Sequence, residues 1–111
     1  MSYRLTDEAI DDLDEIQEFI ARRSKNRRGA EVVENYLFAA FERIGKDPGR
    51  CGGKAWPYVT SLPVKFLTVR KYVVVYDDRA TPVNILAIAG IRQDLQRLLA
   101  ADPRYTSSGG D

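Results

Sequence analysis

The side chains that could carry out chemistry in this sequence are cations, tyrosines and carboxylates, because it contains no histidine and only one cysteine. Ser-His-Asp and Cys-His arrangements are therefore excluded. Cys51 lies between Arg50 and Gly52 and has no histidine to activate it, so we interpret it as an incidental thiol. An intramolecular disulfide and a cysteine-rich zinc site are also excluded. We expect no metal, no cofactor and no conventional catalytic residue.

The carboxylates and many of the cations fall into two consecutive blocks. Seven acidic residues and no basic one lie between Asp7 and Glu18, and five basic residues and no acidic one lie between Arg22 and Arg28. A solvated helix face whose last turn is positive explains both blocks, since the helix dipole favours that order. The alternative is a functional basic tip. Carboxylates spaced along one solvated face do not suit a glycosidase acid/base pair.

The second half of the chain offers a different set, which combines cations and tyrosines around the predicted sheet. Its members are Lys65, Arg70, Lys71, Tyr72, Tyr76 and Arg92. Arginines could stabilise phosphate charge and tyrosines could stack on bases. The alternative is that Tyr72 and Tyr76, on one face of one strand, pack in the core. Trp56 and Tyr58 lie in an irregular stretch, where they either bind a partner or plug the edge of a small core.

Periodicity predicts the elements that position these residues. They are a strand over 2–5, helices over 7–23 and 30–46, strands over 64–70, 72–76 and 83–89, and a final helix over 92–99. Thr6 is a suitable N-cap for the first helix. The order β-α-α-β-β-β-α predicts an α+β fold in which an αα-hairpin covers one face of a small antiparallel sheet. The opposite face must be covered by something else or remain exposed.

Length and composition limit the remaining possibilities. A chain of 111 residues is one domain, which we place at 1–102, followed by a flexible tail at 103–111. The net charge of +1 does not favour nucleic acid as a partner, so we expect no sequence-specific DNA binding by this chain alone. No signal peptide and no apolar run of about 20 residues is present. We therefore expect a cytoplasmic protein without membrane contact.

Four segments, in order, resemble ParE toxins of the RelE/ParE superfamily. They are residues 3–9 (YRLTDEA), 11–16 (DDLDEI), 69–76 (VRKYVVVY) and 85–95 (ILAIAGIRQDL). Each segment is short, but their order and spacing extend the resemblance over residues 3–99. It implies the toxin of a bacterial type II toxin–antitoxin system, of the kind associated with plasmid stabilisation. It also implies a RelE/ParE-like fold and a ParD-like antitoxin that wraps the toxin with an extended and helical segment.

The resemblance leaves two activities to compare: ParE-type members poison DNA gyrase, and RelE-type members cut messenger RNA on the ribosome. RelE-like cleavage relies on clustered cations that activate the 2′-hydroxyl and stabilise phosphorane charge. Here Phe66, Thr68 and Val73 stand where such cations would be expected, and only Arg92 retains a basic residue. We therefore favour a gyrase-directed toxin that is not an enzyme. The alternatives are an mRNA interferase and a degenerate member that only binds its antitoxin.

Two sets of contact residues follow from charge and placement. The candidates for binding the target are Arg70, Lys71, Arg92 and Arg97. The candidates for binding the antitoxin, in a hetero-oligomer, are Trp56, Tyr58, Phe66, Tyr72 and Tyr76.

Overall fold

Two helices and four strands follow one another in a computed structural model that describes residues 2–24, 27–79 and 81–90. They are β1 (Tyr3–Leu5), α1 (Asp7–Ser24), α2 (Arg27–Lys46), β2 (Lys65–Val69), β3 (Tyr72–Asp77) and β4 (Val83–Gly90). The α+β class and the order β-α-α-β-β-β are confirmed. The predicted final helix at 92–99, the domain limit at 102 and the tail at 103–111 lie outside the described residues.

The strands form one sheet in the order β1-β4-β3-β2. The predicted antiparallel meander is confirmed, since β2 pairs with β3 and β3 pairs with β4 in antiparallel fashion. β1 joins the sheet parallel to β4, with Leu5 opposite Ile85, which makes the sheet mixed. The sequence did not reveal this direction, because the helical hairpin separates β1 from the meander and no tight turn sets its orientation.

Thr6 joins β1, α1 and β4. Its hydroxyl accepts a hydrogen bond from the Ala9 backbone N–H at 3.2 Å, which is the predicted N-cap. The same hydroxyl lies 3.1 Å from the Ile85 carbonyl oxygen, to which the Thr6 backbone N–H also donates at 3.1 Å. The start of α1 is therefore attached to the middle of β4.

The helical hairpin and the sheet enclose the larger apolar core. α2 approaches β1 closely because position 45 is glycine: a Cβ there would lie 2.8 Å from the Ser2 carbonyl carbon. The buried side chains between helices and sheet include Leu13, Leu37, Phe41, Ile44, Val74, Tyr76 and Ile85. No helix in the described part of the chain is long and apolar enough to cross a membrane.

The opposite face of the sheet carries a second, smaller apolar cluster. Its buried members are Val64, Phe66, Val73, Val75, Ala87 and Ala89. Trp56, Val59 and Leu62, from the segment between α2 and β2, pack against it. A backbone bridge between Lys54 and Phe66 holds this segment to the edge of β2. The sheet face opposite the helices, for which the sequence predicted no cover, is thus partly covered by the segment between α2 and β2.

Candidate partner-binding surfaces

The turn between β2 and β3 exposes Arg70 and Lys71 together. Val69 pairs with Tyr72, so these two cations form a two-residue connection. Arg70 has a φ of 57°, in the left-handed region that costs a residue with a Cβ about 1–2 kcal/mol. Its guanidinium carbon lies 4.7 Å from the centre of the Tyr36 ring, a cation–π contact worth about 0.5–1 kcal/mol at an exposed site. The stacking offsets much of the backbone cost and fixes the guanidinium.

Tyr36 lies under the Arg70 guanidinium, and Tyr72 is a neighbour of Tyr36. Both side chains are half-buried against the edge of the larger core. Burial raises the pKa of both phenols, and the neighbouring Arg70 opposes that effect on Tyr36. A tyrosine is already protonated at neutral pH, so both phenols keep an O–H that can donate a hydrogen bond. Of the four predicted target-binding residues, Arg70 and Lys71 lie at this turn, and Arg92 and Arg97 lie outside the described residues.

Phe66, Trp56 and Tyr58 form a second feature, which we call the aromatic stack. The Phe66 and Trp56 rings are 4.5 Å apart and nearly parallel, at 3°, and Trp56 and Tyr58 are 6.0 Å apart at 20°. Phe66 is only 2% exposed, whereas Tyr58 is 74% exposed. Trp56 packs against the apolar cluster, which confirms for this residue the prediction that it closes the edge of a small core. Tyr58 instead exposes its ring to solvent. The stack therefore runs from the sheet to the surface.

Tyr76 lies in the core on the helix-facing side of β3, fully buried. Its hydroxyl is 3.2 Å from the Cys51 Sγ, and burial together with that contact raises the pKa of the phenol far above its usual range. The alternation of Tyr72 and Tyr76 on one strand face is confirmed. Burial removes Phe66 and Tyr76 from the accessible surface, so we no longer expect either of them to contact an antitoxin directly.

The acidic block of α1 is solvated, with one informative exception. Six of its seven carboxylates are exposed, and Asp12 is half-buried. Its Oδ2 accepts a hydrogen bond from the Ile88 backbone N–H at 3.1 Å.

At the basic end of α1, Arg22 pairs with Glu18 at 2.8 Å and Arg23 lies 5.7 Å from the Phe19 ring centre. No group of three or more residues that could hold a metal occurs among the described residues.

Comparison with known protein families shows to which family this chain belongs. The model of the ParE toxin of the type II toxin–antitoxin system, parDE, matches residues 3–95. This chain belongs to the ParE toxin family. It is therefore the toxin component of a type II toxin–antitoxin system, whose members pair with antitoxins. A search of curated proteins found no match.

In this ParE-family toxin, the positions that would carry ribonuclease cations share one sheet face. Thr68 and Val73 are direct cross-strand partners, and Phe66 and Val73 belong to the same buried cluster. Lys65 is the only lysine or arginine within β2, β3 and β4. As the neighbour of Phe66 in the strand, Lys65 lies on the opposite face of the sheet. Its ammonium group forms an ion pair with Asp78 at 2.6 Å. In the described part of the meander, the strands thus place no cation on this face.

Proposed function

We propose that this ParE-family toxin stops growth by binding and poisoning DNA gyrase in the bacterial cytoplasm, and that a ParD-like antitoxin neutralises it. The observation that supports the proposal most strongly is the sheet face at Phe66, Thr68 and Val73, where none of the three residues is a cation. A ribonuclease without histidine needs cations there to activate a 2′-hydroxyl and to stabilise a phosphorane. A toxin that acts by binding needs no such group, so we propose that this chain is not an enzyme.

The exposed cations at the β2–β3 turn are our candidates for contact with the target. Arg70 is held in place by Tyr36, and Lys71 follows it directly. Exposed arginines with restricted side chains contribute strongly to protein interfaces, because little entropy is lost on binding. Arg92 and Arg97 remain candidates on the basis of the sequence alone.

The outer part of the aromatic stack is our candidate for contact with the antitoxin. Tyr58 presents a largely exposed ring on Trp56, which in turn rests on Phe66. Aromatic anchors of this kind often dominate binding energy. An antitoxin that covered them, and Tyr72 on the helix-facing side of the sheet, would form a hetero-oligomer and stabilise the toxin by mass action.

Induction of the toxin in bacteria, without antitoxin, tests the proposal in cells. We expect double-strand DNA breaks and filamentation, with ribosome-bound messenger RNA intact. An Arg70→Gln/Lys71→Gln variant should cause fewer breaks, whereas Arg50→Gln, which alters an equally exposed arginine, should match the native chain. Codon-specific mRNA cuts without DNA damage would contradict the proposal and support the interferase alternative. No toxicity at all would support a degenerate member that only binds its antitoxin.

A further inference from the structure

Arg70 occupies a backbone position that usually selects other residues. Two-residue hairpin connections with positive φ favour glycine, asparagine and aspartate, because these residues tolerate the left-handed region. Arg70 is the only non-glycine residue with positive φ among those that the structure describes. The turn alone would form more easily with glycine. The arginine side chain at this point therefore needs an explanation beyond chain reversal.

The Arg70 side chain is held in place but its donors remain available. The guanidinium carbon lies over the Tyr36 ring, 4.7 Å from its centre, and the Arg70 residue is exposed to solvent. No hydrogen bond or ion pair joins Arg70 to another described residue. A guanidinium that is restricted by a ring and has no acceptor among the described residues is suited to an external anion, because part of the entropy of ordering it is already lost on folding.

Tyr36 itself and its neighbour Tyr72 carry two further donors. The hydroxyls of Tyr36 and Tyr72 form no hydrogen bond within the described part of the chain, and both rings are half-buried next to each other. Each phenol keeps its proton at neutral pH, because the ordinary pKa of 10.0 already lies well above neutral and burial raises it further. The group thus combines one cation with two neutral O–H donors and contains no carboxylate.

We propose that Arg70, Tyr36 and Tyr72 form a preorganised site, the arginine–tyrosine clamp, for a carboxylate side chain of a partner protein. The two oxygens of a carboxylate match the fork of N–H donors on a guanidinium edge. A nucleic-acid backbone would require further cations repeated along the surface. Beyond Lys71 in the same turn, the strands of the meander supply only Lys65, which is already paired with Asp78. The clamp deepens the proposed target-binding role of Arg70 but does not depend on gyrase being the target.

Nuclear magnetic resonance of the full-length chain tests the clamp directly. The probe is an oligoglutamate peptide, compared with an oligothymidylate of the same charge. We expect the peptide to shift the Arg70 Nε–Hε signal and the Tyr36 and Tyr72 ring signals. Arg70→Gln should weaken peptide binding by about tenfold or more, because a charge-assisted bidentate pair is lost.

Three variants separate binding from folding. Tyr36→Leu should also weaken peptide binding, because the guanidinium loses the ring that orients it. Tyr36→Phe keeps the ring and loses only the hydroxyl donor, so it should weaken binding less than Tyr36→Leu does. Arg50→Gln should leave the affinity unchanged. The unfolding midpoint of each variant shows whether it has kept its fold.

Two results would overturn the clamp. One is equal peptide affinity of native and Arg70→Gln chains. The other is oligothymidylate binding at the same signals as tightly as the peptide, which would indicate a nucleic-acid site. Gyrase poisoning is measured separately with the same variants. If the native chain binds the peptide but does not poison gyrase, only the proposed target fails, and if it poisons gyrase without binding the peptide, only the clamp fails.

Discussion

Gly53 lies against the phenol of Tyr76, and this contact determines how the segment between α2 and β2 meets the core. A Cβ at position 53 would lie 1.7 Å from the Tyr76 hydroxyl oxygen and 2.6 Å from the Tyr76 Cζ. The tyrosine is fully buried and its hydroxyl also contacts Cys51, so it cannot move aside into solvent. Glycine at this position therefore permits a close approach that no other residue allows.

Gly53→Ala should destabilise the toxin by about 1–3 kcal/mol, because overpacking against a buried ring forces the backbone or Tyr76 to shift. The matched control is Gly49→Ala, in the same segment, where the added Cβ would lie 3.7 Å from the Asp47 Oδ1 in ordinary contact. That control should stay within about 0.5 kcal/mol of the native chain. Urea unfolding followed by tyrosine and tryptophan fluorescence measures both. Equal stability of the two variants would show that the segment is not held against Tyr76.

Sequence alternation predicts the faces of single residues but not their depth. Tyr72 and Tyr76 do share a strand face, yet the first is half-buried at the turn and the second is fully buried. The difference arises because the segment containing Cys51 and Gly53 closes over Tyr76. The periodicity of β3 cannot predict this difference, because it does not show that the segment between α2 and β2 packs over one end of the strand.

At the scale of elements, α1 completes the edge of β4 where β1 stops. β1 ends at Leu5, opposite Ile85, while β4 continues to Gly90. A strand edge left without a partner exposes backbone donors and acceptors. Here the hydroxyl of Thr6 contacts the Ile85 and Leu86 carbonyl oxygens, and the Asp12 carboxylate accepts from the Ile88 N–H. The helix thus supplies side-chain partners that a longer β1 would have supplied from its backbone.

Asp12→Ala should therefore destabilise the toxin by about 1–3 kcal/mol, because the Ile88 N–H in a partly buried site loses its acceptor. Asp11→Ala removes an exposed carboxylate from the adjacent helical position and should change stability by about 0.5 kcal/mol or less. Thermal unfolding compares the two variants, and amide hydrogen exchange should become faster at Ile88 in the first. Similar losses in both would mean that the helix face, rather than this hydrogen bond, carries the effect.

The sequence predicted the elements better than their connections. The helices begin and end within a few residues of the predicted limits; α2 starts at Arg27 rather than at residue 30. The parallel pairing of β1 and the role of Asp12 were not readable, because both depend on where α1 lies relative to the sheet. In the sequence Asp12 does not differ from the six other acidic residues of α1, and only its contact with β4 distinguishes it.

At the scale of the whole molecule, the sheet has two different faces. The helical hairpin covers one, and the other combines an apolar cluster with the aromatic stack. The fold and the family could be anticipated from ordered short segments, and the family model over residues 3–95 confirms that assignment. The exposure of the candidate contact residues could be predicted only in part: Tyr58 and Arg70 are exposed as a contact role requires, but burial of Phe66 requires the structure.

The central claim is that the toxin acts by binding gyrase and not by cutting RNA, and a reconstituted reaction tests it most directly. Purified gyrase, supercoiled plasmid and ATP are incubated with the full-length toxin, then treated with detergent and protease. We predict linear plasmid, released from trapped covalent cleavage complexes, in an amount that rises with toxin and falls when the cognate antitoxin is added. Unchanged gyrase activity without linear plasmid, together with cleavage of mRNA on purified ribosomes, would contradict the claim.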